Sequence, residues 1–382
     1  LDPVHLKEEH RMLQDQLRRF VAEEIVPHGE RWEEEEMVPR ALLRKMGDLG
    51  FFGLRVAEEY GGSGMDAIAT VIFAEELARS TFGGVTITAT VHSDMASPHL
   101  FNAGTEEQIR QWAPGILSGE TIGSIAVTEA EAGSDVQNIR TSARRDGNGW
   151  VLDGGKMFIT NAVHGEVYFV AARTDPDAKA SRGTSIFIVP KAAKGVEVVR
   201  KLDKMGWRSS DTAQLAFDSV KLPADALLGE ENRGFYAIMK NFQTERLSAA
   251  GIYIGEIDTA LRLTLDHVKT RRAFGGTLWD QQAVRQRLAM LAAQAEAARQ
   301  LVYHTAWLDS QGVNCVKEVS MAKAWIGELV NQTVYACQQF HGGSGYMRGT
   351  AIERMARDVR IHTIGGGATE VMLEEVAKRM EP

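Results

Sequence analysis

Between Ala126 and Asp135 the chain reads A-V-T-E-A-E-A-G-S-D, a run of small residues directly after a β-branched stretch. Side chains this small leave the backbone amides open, and open amides can approach a flat or phosphorylated ligand closely. The same residues also make an ordinary surface turn, because the run matches neither G-x-G-x-x-G nor the Walker pattern. On spacing alone the turn is the simpler reading.

Other chemistries find less support. His92, His99, His164, His341 and His362 form no pair at helix or strand spacing for metal ligation, so no metal is assigned. Cys315 and Cys337 are the two cysteines and make no C-x-x-C, which argues against a disulfide framework or structural zinc and fits a reducing compartment. A serine nucleophile has no G-x-S-x-G turn to sit on. The formal charge of −8, from 43 basic and 51 acidic residues, gives a nucleic-acid backbone no general attraction. No apolar run is long enough to span a bilayer, and the opening L-D-P-V-H-L-K-E-E-H lacks the basic-then-apolar order of an export signal. The expected location is the cytoplasm, or the mitochondrial matrix where a targeting peptide has been removed.

At 382 residues the chain exceeds what one core usually organises, so two or three packed domains are expected. Apolar residues recur at helical spacing near 4–28, 39–48, 66–80 and 105–117, the last opening with a Thr105–Gln108 capping box. E-Y-G-G-S-G at 59–64 separates two of these helices. From about Thr121 the period becomes two, with short strands near 123–128, 149–154, 166–173, 184–189 and 213–218. Asp146-Gly147-Asn148-Gly149 and Asp153-Gly154-Gly155 read as turns of this region. Strands without intervening helices imply an antiparallel sheet or barrel. After Pro223 the helical period returns near 233–268, 280–310, 315–340 and 367–380. The expected organisation is an α+β multidomain chain: an all-α domain at 1–120, an antiparallel β-barrel domain at 121–228 and a helical bundle at 229–382.

The segment I-A-V-T-E-A-E-A-G-S-D-V, followed by G-G-K-M-F-I-T-N at 154–161, resembles the flavin-binding signature of the acyl-CoA dehydrogenase family. The resemblance spans the chain, through E-Y-G-G-S-G-M-D at 59, L-D-K-M-G-W-R-S-S-D-T at 202, R-R-A-F-G at 271, Q-F-H-G-G-S-G-Y at 339 and R-D-V-R-I at 357. It implies a helical domain, a β-barrel domain and a four-helix-bundle domain, the order that periodicity gives independently. It also implies FAD. Ile125, Val127, Thr128, Gly133, Ser134, Phe158, Ile159 and Thr160 are then the residues around the isoalloxazine, with the two threonines near its reactive edge. Phe158 stands where many relatives carry Trp and lacks an indole N–H. The resemblance further implies that a neighbouring subunit completes each site through Arg271, Phe274, Gln282, Gln339 and Gly343, within a homotetramer built as a dimer of dimers. Ala368 and Glu370 are further cofactor positions, Ala368 replacing a Thr common in relatives.

Removing a proton from the carbon beside a thioester demands a carboxylate in a pocket that excludes water. Many relatives carry it in I-Y-E-G-T near the C-terminus, but here the segment is Ile364-Gly365-Gly366-Gly367-Ala368-Thr369-Glu370, and Gly366 stands at the Glu position. The long-chain and isovaleryl branches place their Glu on a helix of the last domain, which N-F-Q-T-E-R-L at 241–247 matches, making Glu245 the base. Without the resemblance, Glu245 reads as an exposed helix carboxylate paired with Arg246 or another neighbour. Glycines at 365–367 leave room for a carboxylate from elsewhere, and Gly366 N–H can still donate to the thioester carbonyl. Hydride passing from the β carbon to flavin N5 then gives a trans-2-enoyl-CoA.

The resemblance also implies substrate contacts: Tyr236 in G-F-Y-A-I-M along the acyl or pantetheine path, Ser181 and Arg182 against the CoA phosphates, and Ser134, Gln243 and Arg246 as further substrate-binding positions. Gly365, in place of a bulky Tyr, favours branched acyl groups. An electron-transfer flavoprotein is the implied electron acceptor. Two rival readings stay open, a flavin oxidase or monooxygenase on the same fold and a non-catalytic flavoprotein for acyl-CoA sensing or assembly.

Overall fold

The computed structural model describes residues 5–380, so the outermost residues of the first expected helix and of the first and third expected domains lie outside the described residues. The chain opens with Glu8–Phe20 (α1), Gly29–Glu35 (α2) and Arg40–Asp48 (α3). Ala67–Ala78 (α4) buries every one of its residues, as a helix apolar on all sides must. Gly83–Thr90 (α5), a π-helical segment at Val91–Ala96 and Ser97–Ala103 (α6) follow. The periodicity did not predict these three. Their Val, Thr and Ile are as strand-like as helical, and burial all round α5 removes the amphipathic period by which a helix is recognised. Glu106–Leu117 (α7) begins at the expected capping box: Thr105 Oγ1 accepts from Gln108 N at 3.2 Å, and Gln108 Oε1 accepts from Thr105 N at 2.9 Å.

The sheet contains Gly123–Ala126 (β1), Ser142–Asp146 (β2), Gly149–Thr160 (β3), Val167–Arg173 (β4), Thr184–Pro190 (β5), Val196–Lys201 (β6), Thr212–Leu222 (β7) and Leu227–Leu228 (β8). Its ladder runs β6-β7-β3-β2-β4-β5-β8, with β1 on β4. Pairing is antiparallel except that β1 and β2 meet β4 in parallel, a departure from the all-antiparallel expectation. β2 and β6 were not expected either, because both are short and mostly exposed and show little apolar alternation. Asp146-Gly147-Asn148-Gly149 is the expected hairpin turn, with Gly147 at φ +58°. Asp153-Gly154-Gly155 is not a turn. It is a bulge inside β3, where the register against β7 shifts between Leu152 and Gly154. Gly154 sits at φ +141°, and a Cβ there would lie 2.7 Å from Thr141 Cα, so only glycine fits.

The last third holds Gly234–Thr270 (α8), a small hairpin of Arg272–Ala273 (β9) and Gly276–Thr277 (β10), then Gln282–Ser310 (α9), Val316–His341 (α10), Ala351–Asp358 (α11) and Thr369–Ala377 (α12). α8 packs against α10 and also against α4, so the first and last helical regions share one core. At that boundary Glu75 of α4 is fully buried, accepting from Arg299 Nη1 at 2.6 Å, Arg79 Nη2 at 2.6 Å and Tyr303 Oη at 2.7 Å. Burial alone would raise this carboxyl, but Arg299 and Arg79 hold it below its ordinary value. Asp258 of α8 joins through Arg79 at 3.0 Å and through Arg299. Charges this well paired fix α8 against α4.

Gly154→Ala should lower unfolding free energy by about 2–3 kcal/mol, since it adds both a clash and an unfavourable φ. Denaturant titration checks this, and a loss below ~0.5 kcal/mol would show that β3 tolerates a side chain there.

Candidate active site

The loop after β1 is held by a buried ion pair. Lys156, pointing inward from β3, donates to Val127 O at 2.9 Å and to Glu129 Oε1 at 2.7 Å. Burial lowers the Lys156 ammonium to about 8. Burial pushes Glu129 up, but Lys156 and its other donors bring it below the ordinary range. Those donors include Arg140 N at 2.6 Å and Thr141 N at 3.0 Å. Met157 N donates to Thr128 O at 2.9 Å, stitching the loop to β3 again. Beyond this clamp Gly133 and Ser134 are exposed, while Thr128 and Thr160 are half-buried.

Phe158 lies beside the clamp at a second register shift of β3, at φ +60° and 65% exposed. A bulky residue in the left-handed region is strained, and an exposed ring gains nothing from core packing. The geometry fits a flat aromatic group covered on one face by Phe158 and met at its edge by the loop amides. Val127 and Ile159 bury their side chains in two core clusters, so only their backbone groups are free for such a group. Ile125 is half-buried in β1, opposite Phe169 of β4.

Glu245 stands on α8, half-buried, and accepts from Asn241 Nδ2 at 3.0 Å. The same amide donates to Met95 O at 3.0 Å. Burial raises the Glu245 carboxyl to about 7, against the opposing effects of Asn241 and Arg246. The exposed Glu245–Arg246 pair that an isolated reading favours is not formed. Arg246 instead lies over the Phe242 ring at 5.3 Å. Gln243 is half-buried on the same turn.

The 362–369 loop leads into α12 and is held against α10. Lys323 Nζ donates to His362 O at 2.9 Å and to Gly367 O. Burial, then Arg246 nearby, lowers Lys323 to about 8, which places Arg246 close to this loop. Gly366 has φ +63°, open space where a side chain would be, and an N–H with no partner among the described residues. A cavity of about 460 Å³ adjoins the loop, lined by Asn331, Arg360, Ile364, Ala368 and Glu370 among others. Ala368 is the N-cap of α12 and has no side-chain oxygen to cap it. The loop is tied to α8 by Glu256 Oε2 and His362 Nε2 at 2.6 Å, about three turns beyond Glu245 on the same helix.

The remaining sequence-derived residues lie apart. Arg271 ends α8, Phe274 tops the β9–β10 hairpin, Gln282 opens α9, and Gln339 and Gly343 flank the end of α10; all five are exposed. Arg271 follows Glu245 on one continuous helix by about 39 Å of axis. Ser181 is half-buried and Arg182 exposed on a short turn, and Tyr236 is exposed under the Arg233 guanidinium at 4.7 Å. No group of His, Cys, Asp and Glu that could hold a metal occurs among the described residues.

Three family models cover nearly the whole chain: Acyl-CoA dehydrogenase, N-terminal domain at residues 7–120, middle domain at 124–220 and C-terminal domain at 232–381. The chain belongs to the acyl-CoA dehydrogenase family. It is 40% identical over 379 residues to the mitochondrial long-chain specific acyl-CoA dehydrogenase of Rattus norvegicus, covering 97% of this chain and 86% of that one. The crystal structure of an acyl-CoA dehydrogenase from Geobacillus kaustophilus superposes with a TM-score of 0.95 at 38% identity, covering all of both chains. A glutaryl-CoA dehydrogenase from Mycobacterium smegmatis, solved in complex with FADH2, has a TM-score of 0.92 at 27% identity, covering 98% and 95%. Acyl-CoA dehydrogenases are oxidoreductases that use FAD, and the Phe158 ring with the clamped loop suits that cofactor. No helix among the described residues is long and apolar enough to cross a membrane.

Within this acyl-CoA dehydrogenase, Lys156, Glu129, Asn241 and Lys323 shape the site but were not singled out from sequence. Lys156 offered one signal, a lysine between apolar neighbours in a strand. Lys156→Ala should strand Glu129 and loosen the loop, costing about 3 kcal/mol or more. Flavin absorbance per protein after gel filtration should fall with the melting temperature, and full flavin retention would show that the clamp does not shape the cofactor site.

Proposed function

We propose that the protein catalyses α,β-dehydrogenation of an acyl-CoA thioester to the trans-2-enoyl product, with Glu245 taking the α proton. The observation that carries this reading is a carboxyl on α8 raised to about 7 by burial and hydrogen-bonded by one neutral amide. A base with this affinity is ionised above neutral pH yet basic enough to take a proton from carbon when the site is dry. The Gly366 N–H, free on an exposed loop, donates to the thioester oxygen where charge gathers as the proton leaves. Thr128, Thr160 and the amides of 127–134 other than those of Glu129 and Ala132, which bond to each other's carbonyls, would hold the isoalloxazine, with Phe158 over its face. FAD, when bound, supplies the acceptor for the β hydrogen and its electron pair.

Ser181, Arg182 and Tyr236 contact the CoA portion in this reading, and Gln243, Arg246 and Ser134 the reacting end. The glycine at 365 leaves space beside the β carbon, which favours a branched acyl group. Arg271, Phe274, Gln282, Gln339 and Gly343 serve the flavin of a neighbouring copy. Two observations support this: the length of α8 separates Arg271 from its own Glu245, and Phe274 is 89% exposed. A dimer of dimers follows, passing its electrons to an electron-transfer flavoprotein.

Glu245→Gln should keep FAD and acyl-CoA binding while slowing anaerobic flavin reduction by substrate by about 10²–10⁴-fold. An undiminished rate would remove Glu245 from the chemistry. Because a base must be unprotonated to act, kcat/KM of the native enzyme should rise as pH climbs through about 7 and fall below it. A profile flat from pH ~5 to ~8 would mean that a different group accepts the proton.

A further inference from the structure

We propose that Lys323 is a positioning residue for the reaction: by closing the glycine loop at both ends, it aims the Gly366 N–H at the thioester oxygen. The inference rests on the reading of that N–H as the donor in acyl-CoA dehydrogenation.

Gly365, Gly366 and Gly367 follow one another, and glycine loses more freedom on ordering than any other residue, so such a loop needs to be held. Packing does not hold it. A Cβ at Gly366 would meet nothing within 4 Å, and one at Gly365 would first meet Ile361, at 3.5 Å. Backbone bonds fix the first half of the loop, where Ile364 N and Gly365 N both donate to Ile361 O at 2.8 Å. They stop short of Gly366.

The two ends of the loop are held unequally. At His362 the ring bonds Glu256 at 2.6 Å, and the carbonyl accepts from Lys323 Nζ at 2.9 Å and from Tyr253 Oη at 3.4 Å. At the other end Gly367 O accepts from Lys323 Nζ, and among the described residues no other hydrogen bond reaches the backbone of Gly366 or Gly367. One ammonium therefore brackets Gly366. Loss of it would leave the His362 end tied to α8 and the Gly367 end free.

A charged donor makes stronger bonds than a neutral one, and three N–H groups on one atom can serve two carbonyls at once. The cost is burial without an ion pair. Lys323 is 1% exposed, and Glu328 and Glu370 attract it without a hydrogen bond. Filling the interior would need only Met or Leu. α10, which carries Lys323, packs along α8, so the lysine references the loop to the helix of Glu245.

Lys323→Met keeps the length of the side chain and removes its donors. Lys323→Gln keeps a neutral donor on a stem too short to reach both carbonyls. In the FAD-loaded enzyme, each change should slow anaerobic flavin reduction at saturating acyl-CoA by at least about tenfold while KM stays within ~3-fold. The direct readout is the infrared band of the thioester carbonyl in bound, isotope-labelled trans-2-enoyl-CoA, the product, which cannot reduce the flavin. A well-aimed N–H lowers that band below its position in the free thioester, and in the variants it should return at least half of the way. A band that keeps its native position would overturn the proposal whatever happens to the rate or the melting temperature, since a merely structural lysine would change only those. A reduction rate within ~2-fold of native would overturn it as well. Where Lys323→Met does not fold, Lys323→Gln decides. A native enzyme that is bleached by no acyl-CoA and leaves the carbonyl band unshifted would remove the dehydrogenation reading itself, whereas a working native enzyme matched by its variants removes Lys323 alone.

Discussion

A carboxylate that is to take a proton near neutral pH must be kept from bulk water and from cations at once, yet still be held in place. At the proposed base, Glu245, α8 answers these demands in part: the side chain is half-buried, and Arg246 still opposes the rise that burial causes. Burial sets the affinity, and Asn241 fixes the orientation without adding charge. Arg246 is drawn aside onto Phe242. The arrangement works only if the helix itself does not move. The buried Glu75, Arg79, Arg299 and Asp258 network locks α8 to α4, and Glu256 with His362 brings the Gly366 loop onto the same helix. One helix therefore carries the proposed base and anchors the Gly366 loop.

The two loops of the site are shaped by the same device. Lys156 and Lys323 are both buried, both lowered to about 8 by burial, and both donate to backbone carbonyls of a loop. A buried ammonium is costly unless its three donors are used, so each lysine gathers the groups around it into one arrangement. On the second loop the Gly366 N–H is left without a partner among the described residues. Phe158 keeps its strained φ because β3 is paired with β7 on both sides of it, which leaves the backbone no cheaper path.

How much of this could be read from sequence depended on whether the signal was local. The Thr105–Gln108 box and the Asp146–Gly149 turn are written in adjacent residues, and both are found where expected. Asp153-Gly154-Gly155 was misread because glycine in a bulge and glycine in a turn carry the same local signature. α5 and α6 were missed because burial on most sides erases periodicity, and β2 and β6 because exposure does. The proposed base Glu245 is legible through the N-F-Q-T-E-R-L match at 241–247 taken together with the glycine at 366. Nothing in the composition distinguishes Lys323, which faces inward, from the many lysines that face water.

The exchange between Gly366 and Glu245 is more than a change of address. At φ +63°, any residue with a side chain at 366 would be strained by about 1–2 kcal/mol, so the loop as folded is built for glycine. On α8 the proposed base stands on a helix whose packing spans two helical regions, and burial raises its carboxyl. The loop, relieved of the carboxylate, keeps the one group that needs no side chain, its amide.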